Sequence, residues 1–269
     1  MWADLSLFSG GGAKGSAPAL IYLGKVGGAG MERPFSRSEM LLGPESTRRL
    51  AAAHVMIFGL GGVGGWCAEA LARSGVGALT LVDHDTVGVT NLNRQVGALH
   101  STLGKPKAEV TAARVRDINP DCRVLSLVER YDADSRERFF TLPCDYIVDA
   151  IDLVSCKLDL IQTALTRGIP ILSALGTGNK LDPTLFQVAD ISRTEGCPLA
   201  RVVRKELRAR GILHHKVVFS PEPPLTPGDC GEAPPPGRRS IPGSVPWVPA
   251  AAGLLMARQV VLDLLAKQA

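Results

Sequence analysis

The chain has 269 residues, 45% hydrophobic and 21% charged, with a formal net charge of +4, enough to bury a sizeable core but too weakly basic to establish contact with a polyanion. Its six cysteines, Cys67, Cys122, Cys144, Cys156, Cys197 and Cys230, form no CxxC pair, which excludes the usual zinc spacings and a secreted disulfide framework and favours reduced thiols in the cytoplasm. No run approaches roughly 18 uninterrupted apolar residues and no signal-peptide layout opens the chain, so a cytoplasmic protein without membrane contact is expected.

Residues 1–34 read as a flexible N-terminal extension. Gly10-Gly11-Gly12-Ala13-Lys14-Gly15-Ser16 imitates a phosphate loop, but the lysine precedes the last glycine and no strand leads in; Met31 is a plausible start. From Phe35 to Gly43 the pattern predicts a short amphipathic helix closed by glycine. His54–Phe58 is an apolar strand, followed by a glycine-rich turn from Gly59 to Gly65 and a helix from Trp66 to Arg73. Further strands are expected at 79–82, 124–128, 146–148 and 170–172, with helices at 105–117 and 155–167 between them. This alternation predicts an α/β, Rossmann-like fold: a mostly parallel sheet with helices on both faces. Residues 220–246 hold nine prolines and four glycines and are expected to be a loop or crossover. An apolar helix from about Ala250 to Leu265, carrying Leu254, Leu255, Val261, Leu262 and Leu265, reads as core packing or a dimer face, because Arg258 and Asp263 interrupt it.

Gly59, Gly61 and Gly64 satisfy GxGxxG between a strand and a helix, with Gly62 inside the turn, and Asp83 ends the next strand. Glycines let backbone approach phosphate, the helix start offers free N–H groups, and the acid can accept from ribose hydroxyls. The commonest owner of such a loop is a dinucleotide oxidoreductase. The residues after Asp83 favour a triphosphate instead: Asn91, Asn93, Arg94 and Lys107 add two amides and two cations suited to the charge that spreads onto a leaving pyrophosphate. Asp152, beyond the strand at 146–148, can hold magnesium, which needs only one or two carboxylates beside phosphate oxygens. Asp149 reads either as a second acid or as a cap on the following helix.

Together these residues resemble the ThiF/MoeB-like superfamily related to ubiquitin-activating enzymes. The marks are Gly59–Gly64, Asp83–Asp85, Thr90-Asn91-Leu92-Asn93-Arg94-Gln95, Gly104-Lys105-Pro106-Lys107, Ile118-Asn119-Pro120 and Asp149-Ala150-Ile151-Asp152. Glu69–Gly77, Lys180-Leu181-Asp182-Pro183-Thr184, Cys197-Pro198-Leu199-Ala200-Arg201 and Pro242–Pro249 look like its TcdA branch, the tRNA threonylcarbamoyladenosine dehydratases. The resemblance implies that residues 35–269 form a ThiF-type adenylating domain acting as a homodimer. It further implies that Gly61 and Gly64 cradle the phosphates, that Asp83 binds the ribose, and that Gly59, Gly62 and Asp85 belong to the same nucleotide site. Asn91, Arg94 and Lys107 would then grip ATP, Asp152 hold the metal, and Arg37 reach the neighbouring subunit's ATP.

The implied reaction adenylates the carboxylate of a threonylcarbamoyl group on tRNA and cyclises it. A sulfur-transfer protein is a candidate partner. The alternative is an adenylyltransferase for the carboxyl terminus of a ubiquitin-like sulfur carrier; it would call for the zinc pairs and the catalytic cysteine that this sequence lacks. Lys216-Val217-Val218-Phe219-Ser220 has no cysteine where some branch members carry one, and Cys197 reads better as a small residue at a loop–helix junction than as a nucleophile. The densest basic run, Arg201, Arg204, Lys205, Arg208, Arg210 and Lys216, with Arg238 and Arg239 nearby, is where tRNA is placed, against the competing reading of a solvated helix face.

Overall fold

The computed structural model describes residues 33–231 and 241–266; the Gly10–Ser16 motif, Met31, Arg238 and Arg239 lie outside them. The chain divides into Met1–Pro34 and a compact unit, Phe35–Ala269. That unit is a seven-stranded sheet in the order β3-β2-β1-β4-β5-β7-β6. Its strands are β1 (His54–Phe58), β2 (Ala78–Val82), β3 (Arg123–Leu127), β4 (Tyr146–Asp149), β5 (Ile171–Ala174), β6 (Gln187–Asp190) and β7 (Lys216–Phe219). Only β6 runs antiparallel, at the edge beside β7.

The helices are α1 (Ser36–Leu42), α2 (Pro44–Ala52), α3 (Gly64–Arg73), α4 (Lys107–Ile118), α5 (Arg136–Phe140), α6 (Val154–Thr166), α7 (Pro198–Ala209) and α8 (Trp247–Ala266). β1 shows how they are divided. Val55 and Ile57 join a core with α2, α3, α4 and α8, whereas Met56 and Phe58 join a second core with α5, α6 and α7. Successive side chains of a strand point to opposite faces, so a strand covered on both sides is buried along its length, as all five residues of β1 are; the one polar member, His54, meets Thr80 Oγ1 through its ring.

The expected strands and helices lie within a few residues of their predicted limits. Sequence reasoning missed α2, α5, β6 and β7: α2 is polar on most of its surface, α5 has five residues, and β6 and β7 have four each, too few to establish a period. α8 begins earlier than expected; of the five residues expected to pack, Val261 is buried and Leu255 and Leu265 lie partly buried against the core. Leu254 and Leu262 are exposed, while Ala252, Gly253, Met256, Ala257 and Val260 are buried. A Cβ on Gly253 would stand 2.4 Å from the Val63 carbonyl oxygen and 2.9 Å from Trp66 Cβ, so a small-residue face lets α8 press onto the start of α3. By length and composition α8 is apolar enough to cross a membrane, yet this face is packed in the core and Asp263 accepts from Tyr146 Oη (2.6 Å) and Lys216 Nζ (2.7 Å).

Candidate active site

Chain connections leave β1 in opposite directions, to β2 and β3 on one side and to β4 and β5 on the other. The crevice at the carboxyl ends of β1 and β4 is therefore the topological switch point, where ligands bind open α/β sheets. Two loops meet there. Gly59, at φ +85°, donates to the Val82 carbonyl (2.9 Å), and Ala150 donates to Phe58 (2.8 Å). A Cβ on Gly59 would lie 2.7 Å from the Ala150 oxygen, and one on Gly64 would lie 1.8 Å from the Gly59 oxygen. These two glycines permit close backbone approach. Gly61 differs, since a Cβ there would meet nothing closer than Gln95 Nε2 at 3.7 Å.

A cavity of about 1040 Å³ opens over this loop and is lined by Gly59, Gly61, Gly62, Asp83, Asp85, Asn91, Arg94, Lys107 and Asp152. Gly64 and Arg37 do not line it. Arg37 is exposed on α1, which follows Phe35, whose ring packs about Gly75 just past the end of α3. The ten-residue α3 separates that end from the loop by about 15 Å; Arg37 thus lies far from its own chain's cavity.

Short-range geometry sets the polar groups. Asp83 is buried; its Oδ2 accepts from Leu60 N (2.6 Å) and its Oδ1 from Asp85 N (2.8 Å), tying the end of β2 to the glycine loop. Residues 85–87 pair with 104–107 through Val87 N to Lys105 O and Lys107 N to Asp85 O, both 2.9 Å. This pairing starts α4 beside Asp85 and brings the buried Lys107 Nζ to 2.8 Å from Asp85 Oδ2. Arg94 stands on a helical turn whose Asn91 uses Oδ1 to accept from Gly88 N (3.0 Å). Its guanidinium donates to Thr90 O and Asn93 Oδ1, and burial draws its pKa below the ordinary value.

Asp149 does not cap α6. The helix begins after Leu153 without a side-chain cap, and Asp149 is fully buried, accepting from Lys157 Nζ (2.7 Å) and Ile151 N (3.0 Å). Lys157, itself inaccessible, also donates to Ala174 O (3.0 Å). The ion pair therefore joins the ends of β4 and β5 and shapes the loop that carries Asp152. Spacing alone hides this pair, because a lysine within an amphipathic helix ordinarily reads as a surface charge.

Sequence reasoning also missed the metal-like trio Asp83, His84 and Asp85, whose ligand atoms lie within 4.8 Å of one another. An imidazole suits magnesium poorly, and Asp83 and Asp85 are already engaged. Asp152, exposed just past the end of β4, offers the oxygen ligand that suits magnesium.

The far wall of the cavity contains Lys180, Cys197 and the returning chain at Pro242, Gly243 and Ser244. Lys180 Nζ donates to the carbonyls of Ser220 and Glu222, and burial pulls its pKa down. Cys197 is the N-cap of α7 and its Sγ accepts from Ala200 N at 3.5 Å, so the thiol does the work of a capping side chain. The basic run is split up: Arg204 donates to Thr194, Arg210 to Glu206, and Lys216 to Asp263.

The ThiF family model matches residues 35–267. The chain belongs to the ThiF family. A Bacillus subtilis (strain 168) protein named tRNA threonylcarbamoyladenosine dehydratase is 44% identical over 243 residues, covering 87% of this chain and 96% of that protein. The solved structure of the E. coli tRNA N6-threonylcarbamoyladenosine dehydratase TcdA in complex with ATP is 36% identical with a TM-score of 0.79, covering 87% of this chain and 94% of that one. A molybdopterin-synthase adenylyltransferase of Salmonella typhimurium (strain LT2) is 33% identical over 142 residues, 53% of this chain and 57% of that protein.

Proposed function

We propose that this ThiF-family protein is an ATP-dependent tRNA threonylcarbamoyladenosine dehydratase. The observation that carries the reading is the meeting of a glycine loop, Arg94, Lys107 and Asp152 on one cavity: the loop suits any nucleotide, but two cations opposite a carboxylate suit a triphosphate undergoing displacement. The near-full-length likeness to TcdA-type dehydratases favours this substrate over the alternative of a protein adenylyltransferase, since the molybdopterin-synthase adenylyltransferase matches only about half of each chain.

ATP phosphates lie along Gly61 and Gly62 at the start of α3, where free N–H groups and the helix dipole favour anions. Asp83, which keeps lone pairs beyond its two backbone bonds, accepts from the ribose, and Asn91 faces the phosphate side. Asp152 is the residue that fits magnesium, and a bound ion there would neutralise charge on the departing pyrophosphate. A carboxylate oxygen of the threonylcarbamoyl group attacks the α-phosphorus, the bond to the β-phosphate oxygen breaks, and pyrophosphate leaves with Arg94 and Lys107 taking up the developing charge. A ureido atom of the same group then attacks the acyl carbon, AMP departs, and a proton is released as the ring closes. The internal nucleophile is already tethered near the carbonyl, so the capped thiol of Cys197 has no required part.

The working unit in this reading is a cytoplasmic homodimer in which Arg37 serves the partner subunit's nucleotide, consistent with its distance from its own. Incubating the protein with ATP, magnesium and tRNA bearing threonylcarbamoyladenosine, then measuring nucleoside masses, should show loss of one water. An unchanged mass with pyrophosphate exchange driven by a carrier protein would select the adenylyltransferase. Mixing Arg37→Ala subunits with Lys107→Ala subunits should restore part of the activity that each lacks alone.

A further inference from the structure

The six cations between Arg201 and Lys216 separate into two sets. Arg204, Arg210 and Lys216 are engaged by Thr194, Glu206 and Asp263, the last two in ion pairs at the surface. Arg201, Lys205 and Arg208 are exposed and form no ion pair among the described residues. Their spacing of four and then three places them on one face of α7, with neighbouring Cβ atoms about 5–6 Å apart. The opposite face, Ala200, Val203 and Leu207, is buried, so the stripe cannot turn inward. A merely solvated helix face ordinarily mixes both signs of charge; the one acid on α7, Glu206, is held by Arg210. The stripe also has a direction. Cys197, Pro198 and Leu199, at the start of α7, are walls of the active-site cavity, and the cations lead away from that mouth over about 10 Å.

We propose that Arg201, Lys205 and Arg208 form a track for the sugar-phosphate backbone of a single-stranded RNA segment whose modified nucleoside occupies the cavity. The track rests on the proposed tRNA substrate and adds where the strand leaves the site. Long, exposed cations at helical spacing give sequence-independent, salt-sensitive contact with successive phosphates, which suits an enzyme selecting a nucleoside by the cavity and the adjoining strand by charge.

The test compares wild type, the Arg201→Gln/Lys205→Gln/Arg208→Gln triple variant and an Arg210→Gln/Lys216→Gln control for binding of threonylcarbamoyladenosine-bearing tRNA across a potassium chloride series. With about 0.7 counterions released per phosphate of a single strand, the triple variant should lower the slope of log affinity against log salt by about 2. Its affinity near physiological salt should fall at least tenfold, while ATP binding and melting temperature stay at wild-type values. The control should keep the wild-type slope. A triple variant with wild-type slope and affinity overturns the track even if the wild-type enzyme dehydrates the nucleoside. A wild-type enzyme that leaves the nucleoside unchanged overturns the functional reading, and one that binds no tRNA overturns both.

Discussion

The two walls of the cavity are held by different physics. On the side of β1 and β4, backbone lies on backbone: a Cβ at Gly64 would be 1.8 Å from the Gly59 oxygen, and Asp149 and Lys157 form an ion pair without solvent access beneath the loop. On the side of β5 and α7, the wall is stitched by exposed hydrogen bonds between distant segments. Asn179, at φ +60°, donates its N–H to Gly243 O (2.8 Å), accepts from Gly243 N at Oδ1 (2.6 Å), and accepts from Leu225 N at its carbonyl (2.8 Å). Glu222 accepts from the Leu181 and Asp182 amides, and Trp247 Nε1 donates to Leu181 O (2.7 Å). A wall made by sterics and buried charge resists displacement. One made by exposed polar stitches opens at lower cost.

The sharpest way to break the first wall is Lys157→Met, which strands Asp149 as an uncompensated buried carboxylate. Loss of about 3–5 kcal/mol is expected in urea unfolding, and a loss below about 1 kcal/mol would show that the pair does not organise the β4 loop. Next, Arg94→Ala should lower pyrophosphate release about 10²–10³-fold, as for removal of one group that stabilises transition-state charge, while leaving the unfolding midpoint nearly in place. Equal loss in both measurements would move Arg94 from the chemistry to the scaffold.

A pH scan separates out the sheet beneath the second wall. His215 is buried with Nε2 2.8 Å from Ser173 Oγ of β5. Burial first, then Lys157, push its pKa down from 6.5 to about 3, against a smaller opposing effect of Asp190. Because the folded pKa lies below the unfolded one, the contribution is fully present above about pH 6.5 and is lost as pH falls from there towards 3, by at most about 1.4 kcal/mol per pH unit. His215→Gln should flatten that part of the acid limb; an unaltered limb would assign it to carboxylates such as Asp263. The smallest effect is expected at the stitch itself. Asn179→Ala loses a side-chain bond and places an alanine at positive φ, about 1–2 kcal/mol, whereas Asn179→Gly should recover the backbone part. A melting temperature that ranks the two the other way would mean that φ is not the constraint.

The legible part of the site was the part whose partners are close in sequence. Gly59, Gly61 and Asp83 stand at the ends of β1 and β2, and the apolar strand, glycine turn and helix announce one another within about twenty residues. Illegible were the burial of Lys157, whose Nζ holds Asp149 and the Ala174 carbonyl, and contacts formed by distant chain: Lys216 with Asp263, and Asn179 with Gly243. Spacing offered Asp149 as a second acid or a cap and Lys216 as a tRNA contact or a solvated charge; in the fold each is held by another side chain.

By itself the sequence determined a Rossmann-like parallel sheet and a glycine-rich strand-to-helix turn, because strand and helix periods and glycine turns are local consequences of backbone sterics. Only the tertiary structure decided which glycine faces the cavity and which packs, which side of α8 is core, that Arg37 does not line its own chain's cavity, and which three of the six cations from Arg201 to Lys216 form no ion pair or side-chain hydrogen bond among the described residues. Those outcomes depend on Coulomb partners and van der Waals neighbours that folding supplies from elsewhere in the chain.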